Sequence, residues 1–569
     1  MIKGNLLPAW VRNYRREWLA GDVSAGFVVG VMLVPQSLAY ALLAGLPPQA
    51  GLYASILPVL AYALLGSSMT LAVGPVAAVS LMTASALAPL AMPGSTEHLA
   101  LAMQLALLSG LMLCIFGALR LGMLAHFLSH PVMSGFISGA AVVIIVSQLK
   151  PLLGLQFQSQ GTLPTLLASL THLPAANPAA SLLGVSAMLL LAFARGPMPR
   201  HLHRLGLALP RAQLIGRLVP VMVVVLAAVW VAHFDWHRTQ GVAVVGAVSA
   251  GLPSLSAVLP GAETLAALWL PALLISVVSF VESVSVAQAL ARHRGERITP
   301  DRELFGLGAA NLASGLSGAF PVAGGFSRSV VNFSAGARTP LAGVFSAGVM
   351  ALVLMFAGQG FAHLPTSVLA AAIIVAVWPL IDIATLRHTL HYDRGDAIAL
   401  IATFAGVVVL GVEQGILGGV IVSFAVLVWR SARPHIAVVG RVPGTEHFRN
   451  IERYKVDTLA NVLAIRVDEN LFFGNADAIE TALESRLAAH PQARHLLLIM
   501  SAVNRIDTTA LDMLSSLEDR LGERGIRLAM AEIKSPVMER LAKTDLGARL
   551  AKRIWLSAHE AFTALAAQP

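Results

Sequence analysis

Cysteine is almost missing from this chain. Of 569 residues Cys114 alone is a cysteine, so an intramolecular disulfide is impossible, as is any C-x-x-C metal or redox pair. It lies in an apolar segment and reads as a packing residue. Charge is scarce too: 12% of the residues are charged and 56% hydrophobic, with a mean hydropathy of +0.74, which excludes a soluble domain of this size. There is no H-E-x-x-H, no Walker glycine-lysine loop and no G-x-S-x-G, and the 17 histidines lie mostly in loops and at span ends. The reading is therefore neither an enzyme nor an ATP-driven pump, with no cofactor and no metal, so that any transport is secondary. The net charge of +9 and pI near 10.1 raise nucleic acid as a partner. Arginine-rich loops of a membrane protein account for both, and nucleic acid is set aside.

What the chain has in abundance is apolar runs. Crossing about 30 Å of hydrocarbon as helix takes roughly 17 to 25 residues. Runs suited to it follow one another up to Trp429, about fourteen in all. The first half gives approximately 23–44, 50–66, 76–88, 99–119, 123–148, 178–194 and 215–233. The second gives approximately 264–290, 303–319, 327–337, 340–357, 363–381, 395–411 and 413–429. The third run of each half is too short to span. Short segments after Gly and Pro at matching places in two halves point to a transporter built from inverted repeats.

Lys and Arg give the orientation. With residues 1–21 as a retained cytoplasmic end, Arg120, Arg195, Arg200, Arg204, Arg292, Arg294, Arg297, Arg338, Arg387 and Arg430 fall on the cytoplasmic side, and Lys150 and Arg238 on the other. Both termini are then expected in the cytoplasm of a cell whose inner (plasma) membrane holds the protein. An odd number of spans per half inverts the second half relative to the first. The two short segments, preceded by SSMTLAVGP and AFPVAGGF, then point their N-termini at each other near the midplane, where irregular backbone is tolerated only inside protein or along a cavity.

In the second of these segments stands Arg328. A charge at membrane depth is costly and marks a functional site by default. Helix N-termini carry unpaired N–H groups and partial positive charge, which favours an anion. Ten residues separate Arg328 from Arg338, and ten separate Glu282 from Arg292. At about 1.5 Å per residue this places both Arg328 and Glu282 roughly 15 Å deep. Glu282 either pairs with Arg328 to make burial bearable or changes protonation during transport. In the first span Pro35 breaks the helix, and Gln36 and Tyr40 share one helix face. They serve either as a further wall or as interhelical glue.

The stretches PQSLAYALLAGLPPQAGLYAS, GPVAAVSLM and RELFGLGAANLASGLSGAFPVAGGFSRS resemble the signatures of the sulfate permease (SulP) group, solute carrier family 26 in animals. The resemblance covers essentially the whole chain. It implies a polytopic α-helical membrane protein with a seven-plus-seven inverted repeat. A core domain (spans 1–4 and 8–11) would move against a gate domain (spans 5–7 and 12–14) in a homodimer that transports anions. It places the anion pocket on Gln36, Tyr40, Val76, Phe326, Ser327 and Arg328, and the coupling acid on Glu282. Sodium-coupled bicarbonate carriers of this group have hydroxyl residues where this chain has Val286 and Phe326. Neither can ligate a hard cation, which leaves the proton ahead of sodium. Sulfate, bicarbonate, chloride and small dicarboxylates fit such a pocket equally. An exchanger or a channel-like conductor would use the same residues. A purine permease would share the architecture but would lack the C-terminal domain.

After Arg430 the composition turns polar. The expected division is a transmembrane domain over 22–430 and a soluble α/β domain over 434–569, long enough to bury its own core. Its pattern predicts strands in NVLAIRVDENLFF, HLLLIMSA and IRLAMAEI, with amphipathic helices over ADAIETALESRLAAH, DTTALDMLSSLEDRLGERG and MERLAKTDLGARL and a last one from Ser557. This resembles the STAS domain that ends most SulP carriers, whose cytoplasmic partners stay open. Thr508 is expected to cap a helix. The Asp usual at the preceding strand end is Met500 here, which weakens a phosphorylation switch.

Overall fold

Fourteen helices account for the apolar part of the chain in the computed structural model, which describes residues 8–126, 129–159, 161–246, 251–356 and 361–567. They are labelled here α1 Leu19–Leu43, α2 Pro48–Leu65, α3 Ala77–Leu87, α4 Thr96–Ala118, α5 His130–Leu153, α6 Pro178–Arg195 and α7 Leu209–His233. After them come α8 Ala262–Arg292, α9 Pro300–Leu316, α10 Phe326–Ser334, α11 Leu341–Phe356, α12 Thr366–Val377, α13 Arg394–Val409 and α14 Val412–Ala432. Short helices at Thr162–Thr171, Pro197–Arg204 and Ile383–Tyr392 lie between them. Starts follow local chemistry. Ser95, Ser129 and Asn177 cap α4, α5 and α6 through their side-chain oxygens, and Pro occupies the first turn of α5, α6 and α9.

Among the described residues, eight helical segments are long and apolar enough to cross a membrane, fewer than the expected fourteen spans. Each expected run nevertheless coincides with a helix. The shortfall is mainly one of length: α3 and α10 have 11 and 9 residues, and α9, α11 and α13 have 17, 16 and 16. The run expected over 327–337 stops at Ser334, because Gly336 takes a positive φ of 102°. The depth reckoning from Arg338 therefore includes four non-helical residues.

The chain divides into two compact units, Met1–Ser423 and Phe424–Pro569. In the first, α9 packs on α4 and α2, α11 on α1, and α5 on α12 and α13. Small residues permit the α4–α9 contact: a Cβ on Gly308 would lie 2.5 Å from Cys114 Sγ, so the single cysteine is indeed a packing residue.

The second unit holds a six-stranded sheet in the order β4-β3-β5-β6-β7-β8. Its strands are β3 Ile436–Arg441, β4 Phe448–Asn450, β5 Val462–Val467, β6 His495–Ile499, β7 Arg527–Ala531 and β8 Ile554–Trp555. β5 to β8 run parallel, and β3 pairs antiparallel with both β4 and β5. One face buries Ile479, Leu483, Leu514 and Leu517 from the helices Ala476–Ala488 and Thr508–Glu523, and the other buries Phe562 and Leu565 from the helix Ala558–Ala566. Covering both faces suits parallel strands. Two expectations are corrected. The strand expected to run on through NLFF ends at Val467, with Leu471 making one bridge to Ile506 and Phe473 exposed. Asp507, not Thr508, caps its helix: its Oδ1 accepts from Ala510 N at 2.9 Å while Oδ2 accepts from Phe473 N at 2.8 Å. A carboxylate that can satisfy two backbone donors displaces the neighbouring hydroxyl from that role.

Candidate functional site

Two short extended stretches bring the half-helices together. β1, Val73–Gly74, and β2, Ala323–Gly324, pair antiparallel, with Val73 opposite Gly324 and Gly74 opposite Ala323. α3 starts three residues after β1, and α10 two residues after β2. Polar side chains replace the rest of a sheet. Asn311 of α9 grips Val322, donating to its carbonyl at 3.0 Å and accepting from its N–H at 2.9 Å. Ser283 of α8 accepts from Gly324 N at 2.8 Å, and Ser329 of α10 accepts from Ala72 N at 2.9 Å. A buried backbone group left unpaired in a membrane interior is costly, so these partners are what allow broken helices at this depth.

The approach to α3 is held from behind by Glu303. Its buried carboxylate accepts from Tyr62 Oη at 2.7 Å, from Ser67 N and Oγ at 2.7 and 2.6 Å, and from Ser68 N at 3.0 Å. Asp22 does the same for the segment after α10, accepting from Arg338 N, Thr339 N and Thr339 Oγ1. Several donors on one buried carboxylate satisfy its acceptor oxygens, as a buried polar group requires.

In front of both half-helix N-termini lies a cavity of about 70 Å³. Its walls include Gln36 and Tyr40 from α1, Val76 before α3, Glu282 from α8, and Phe326 and Arg328 from α10. Six of the seven residues singled out from the sequence thus come together. The side chain of the seventh, Ser327, lies outside the described residues. Arg328 is 4% exposed, and its one hydrogen bond among the described residues runs from Nη2 to Pro75 O at 3.1 Å. Its Nε and Nη1 are buried without a partner among the described residues, and so is Glu282 Oε2. Among the described residues no direct ion pair joins Glu282 to Arg328. A guanidinium with free donors, beside two helix N-termini, is chemically a receptor for an anion.

Room for that guanidinium is made by glycines. A Cβ on Gly74 would stand 2.7 Å from Arg328 Nη1, and one on Gly325 would stand 2.9 Å from Nη2 and 3.2 Å from Nε. Sequence reasoning noticed Gly325 as a source of irregular backbone but not as clearance. Ser283, Asn311 and Glu303 were missed altogether. Ser283 and Asn311 left one readable signal, a polar side chain inside an apolar run, whereas Glu303 stands at the very start of its run. A second cavity, of about 330 Å³, adjoins the first and shares Gln36, Tyr40 and Ala376 with it. Arg195, placed from sequence on the cytoplasmic side just past a span, is the last residue of α6 and lines this second cavity.

Comparison with known proteins gives consistent matches. The sulfate permease family profile matches residues 19–403, and the STAS domain profile residues 453–561. A probable sulfate transporter of Mycobacterium tuberculosis is 36% identical over 542 residues, covering 94% of this chain and 93% of the relative. The chloroplastic sulfate transporter 4.1 of Arabidopsis thaliana is 35% identical, covering 94% of this chain and 78% of the relative. Among solved structures, the murine solute carrier 26 family member A9 anion transporter in its inward-facing state aligns with a TM-score of 0.88 at 21% identity, covering 99% of this chain and 94% of that one. The transmembrane domain of a cyanobacterial bicarbonate transporter aligns with a TM-score of 0.60 at 23% identity, covering 72% and 98%.

Proposed function

Since the chain belongs to the sulfate permease family, we propose that it is a secondary transporter that carries small anions across the inner membrane by alternating access, coupled to protons. The anion is held between the N-termini of α3 and α10 by Arg328, with Gln36, Tyr40, Val76, Phe326 and Ser327 as the remaining walls. Glu282 carries the coupling proton. The relatives named as sulfate transporters put sulfate first among substrates, with bicarbonate and small dicarboxylates next. The protein works as a homodimer with both termini in the cytoplasm. Residues 22–430 form the transport domain, and 434–569 a STAS domain that tunes it or recruits partners.

The observation that carries this reading is Arg328 itself. A buried guanidinium with Nε and Nη1 unpartnered is unstable alone, and an anion supplies what it lacks. A cavity of about 70 Å³ has room for a small ion that has shed most of its water, not for a nucleobase. Proton coupling is supported by Glu282, which shares that cavity without pairing directly to Arg328. If the acid served only to neutralise the arginine, direct contact would be expected. The alternative is an exchanger or channel-like conductor without proton coupling, in which Glu282 keeps one protonation state.

The test is uptake of labelled sulfate, bicarbonate, chloride and succinate into proteoliposomes, with and without an inward proton gradient. Accumulation of one or more anions driven by the gradient is expected. Transport indifferent to it would favour the exchanger. No flux of any anion would overturn the proposal.

A further inference from the structure

The second cavity differs in character from the first. One side is formed by α1 and α10, with Met32 and Val331, and the other by α6, α7 and α12, with Leu191, Pro220 and Ile373. The lining is mostly apolar; Gln36 and Tyr40, shared with the first cavity, add an amide and a hydroxyl, and the one cation among the described lining residues is Arg195. Its Nη1 donates to Val375 O at 2.7 Å and to Ala376 O at 3.4 Å, carbonyls of the last turn of α12. Such C-terminal carbonyls lack partners within their helix and sit at its negative end, so they anchor the guanidinium firmly. Nε and Nη2 have no protein partner among the described residues.

This combination suits neither a hydrated inorganic ion nor a neutral hydrocarbon. Apolar walls strip water from a compact anion without replacing it, whereas a cation left facing a hydrocarbon stays unsatisfied. At about 330 Å³ the cavity falls in the range of small-molecule pockets, which are mostly apolar with a few convergent polar groups. One cation also matches one carboxylate: a second negative charge would be left against the apolar walls.

We propose that this cavity binds an amphipathic organic monocarboxylate, its carboxylate on Nε and Nη2 of Arg195 and its apolar body between α1 and α12. A ligand there touches α1 and α10 on one side and α6, α7 and α12 on the other. It therefore wedges the two groups of helices apart at one separation and blocks transport without displacing an anion from Arg328. Binding does not depend on the transport reading above; inhibition does.

The experiment is calorimetric titration of the full chain in lipid nanodiscs with butyrate, hexanoate and octanoate, with empty nanodiscs subtracted. Affinity should rise about fourfold per methylene as each is buried. Arg195→Gln should weaken octanoate at least tenfold and Arg195→Lys much less, since the lysine keeps a charge-assisted bond. Arg328→Ala should leave octanoate binding unchanged. Ile373→Trp, which fills the cavity while keeping Arg195, should abolish it and serves if Arg195→Gln fails to fold. Octanoate should also inhibit anion uptake by the unmodified protein. Equal binding by the unmodified chain and Ile373→Trp would overturn the proposal, as would loss of octanoate binding in Arg328→Ala. Absence of anion uptake, with octanoate binding as described, would count against the transport reading alone.

Discussion

Replacing Arg328 by alanine removes the one full positive charge in the 70 Å³ cavity and leaves both half-helices in place. Two of its donors, Nε and Nη1, have no protein partner among the described residues, which leaves them for an anion. A hydrogen bond to a charged group contributes about 1.5–3 kcal/mol, so the two together account for roughly 3–6 kcal/mol. At about 1.4 kcal/mol per decade this weakens binding by roughly 10² to 10⁴ fold. The ligand-free protein behaves differently. Deleting an unpaired buried cation relieves its desolvation while leaving a void, two effects of opposite sign, so its melting temperature should change little. The assay is thermal unfolding of purified protein against anion concentration. An anion that binds only the folded state stabilises it by about 2.7 kcal/mol at a hundred times its Kd, and this gain should vanish in Arg328→Ala. Arg328→Lys should restore a part, since an ammonium lacks the planar fork. An anion-dependent shift in Arg328→Ala equal to that of the unmodified protein would refute the assignment of the site.

Gly325→Ala keeps the charge but sets a methyl 2.9 Å from Arg328 Nη2, so the guanidinium must move, and anion affinity in the same titration should fall about tenfold with the fold intact. Glu282→Gln imitates the protonated acid: exchange at equal pH across vesicles should survive while uptake driven by an inward proton gradient is lost, and driven uptake at the unmodified rate would defeat proton coupling. Deleting 434–569 should leave anion binding within about threefold in protein that still inserts, since the cavity is lined wholly by residues of the first unit. In the second unit, burial acts to raise the Asp468 carboxyl, but hydrogen bonds from Arg466 and His435 outweigh it and hold it below the usual carboxylate range. A pKa lowered on folding gives stability that is present above about pH 4 and lost as the pH falls through the folded value, so Asp468→Asn should flatten the acid limb of the unfolding curve below about pH 4.

The membrane class, the approximate positions of the fourteen helices α1 to α14 and the two short half-helices were legible from residues alone, because hydrocarbon imposes one rule on any span: enough apolar side chains in succession, with breaks only where Gly and Pro can serve a cavity. Arg328 and Glu282 were legible for the same reason, as charges where charges are costly. The same pattern could not separate pairing from proximity, since ten residues of helix set a depth and not a direction. Nor did it show β3, or β4 and β8, strands of three and two residues that exist only by adding to the edges of a sheet. Tertiary structure decided which backbone groups Asn311, Ser283 and Glu303 satisfy, that glycines at 74 and 325 clear space for one guanidinium, and that Arg195 lines a cavity. Each of these depends on contacts between residues far apart in the chain, and such contacts leave no periodicity in a sequence. They are set by which helix faces pack together, and so they appear only once the fold has formed.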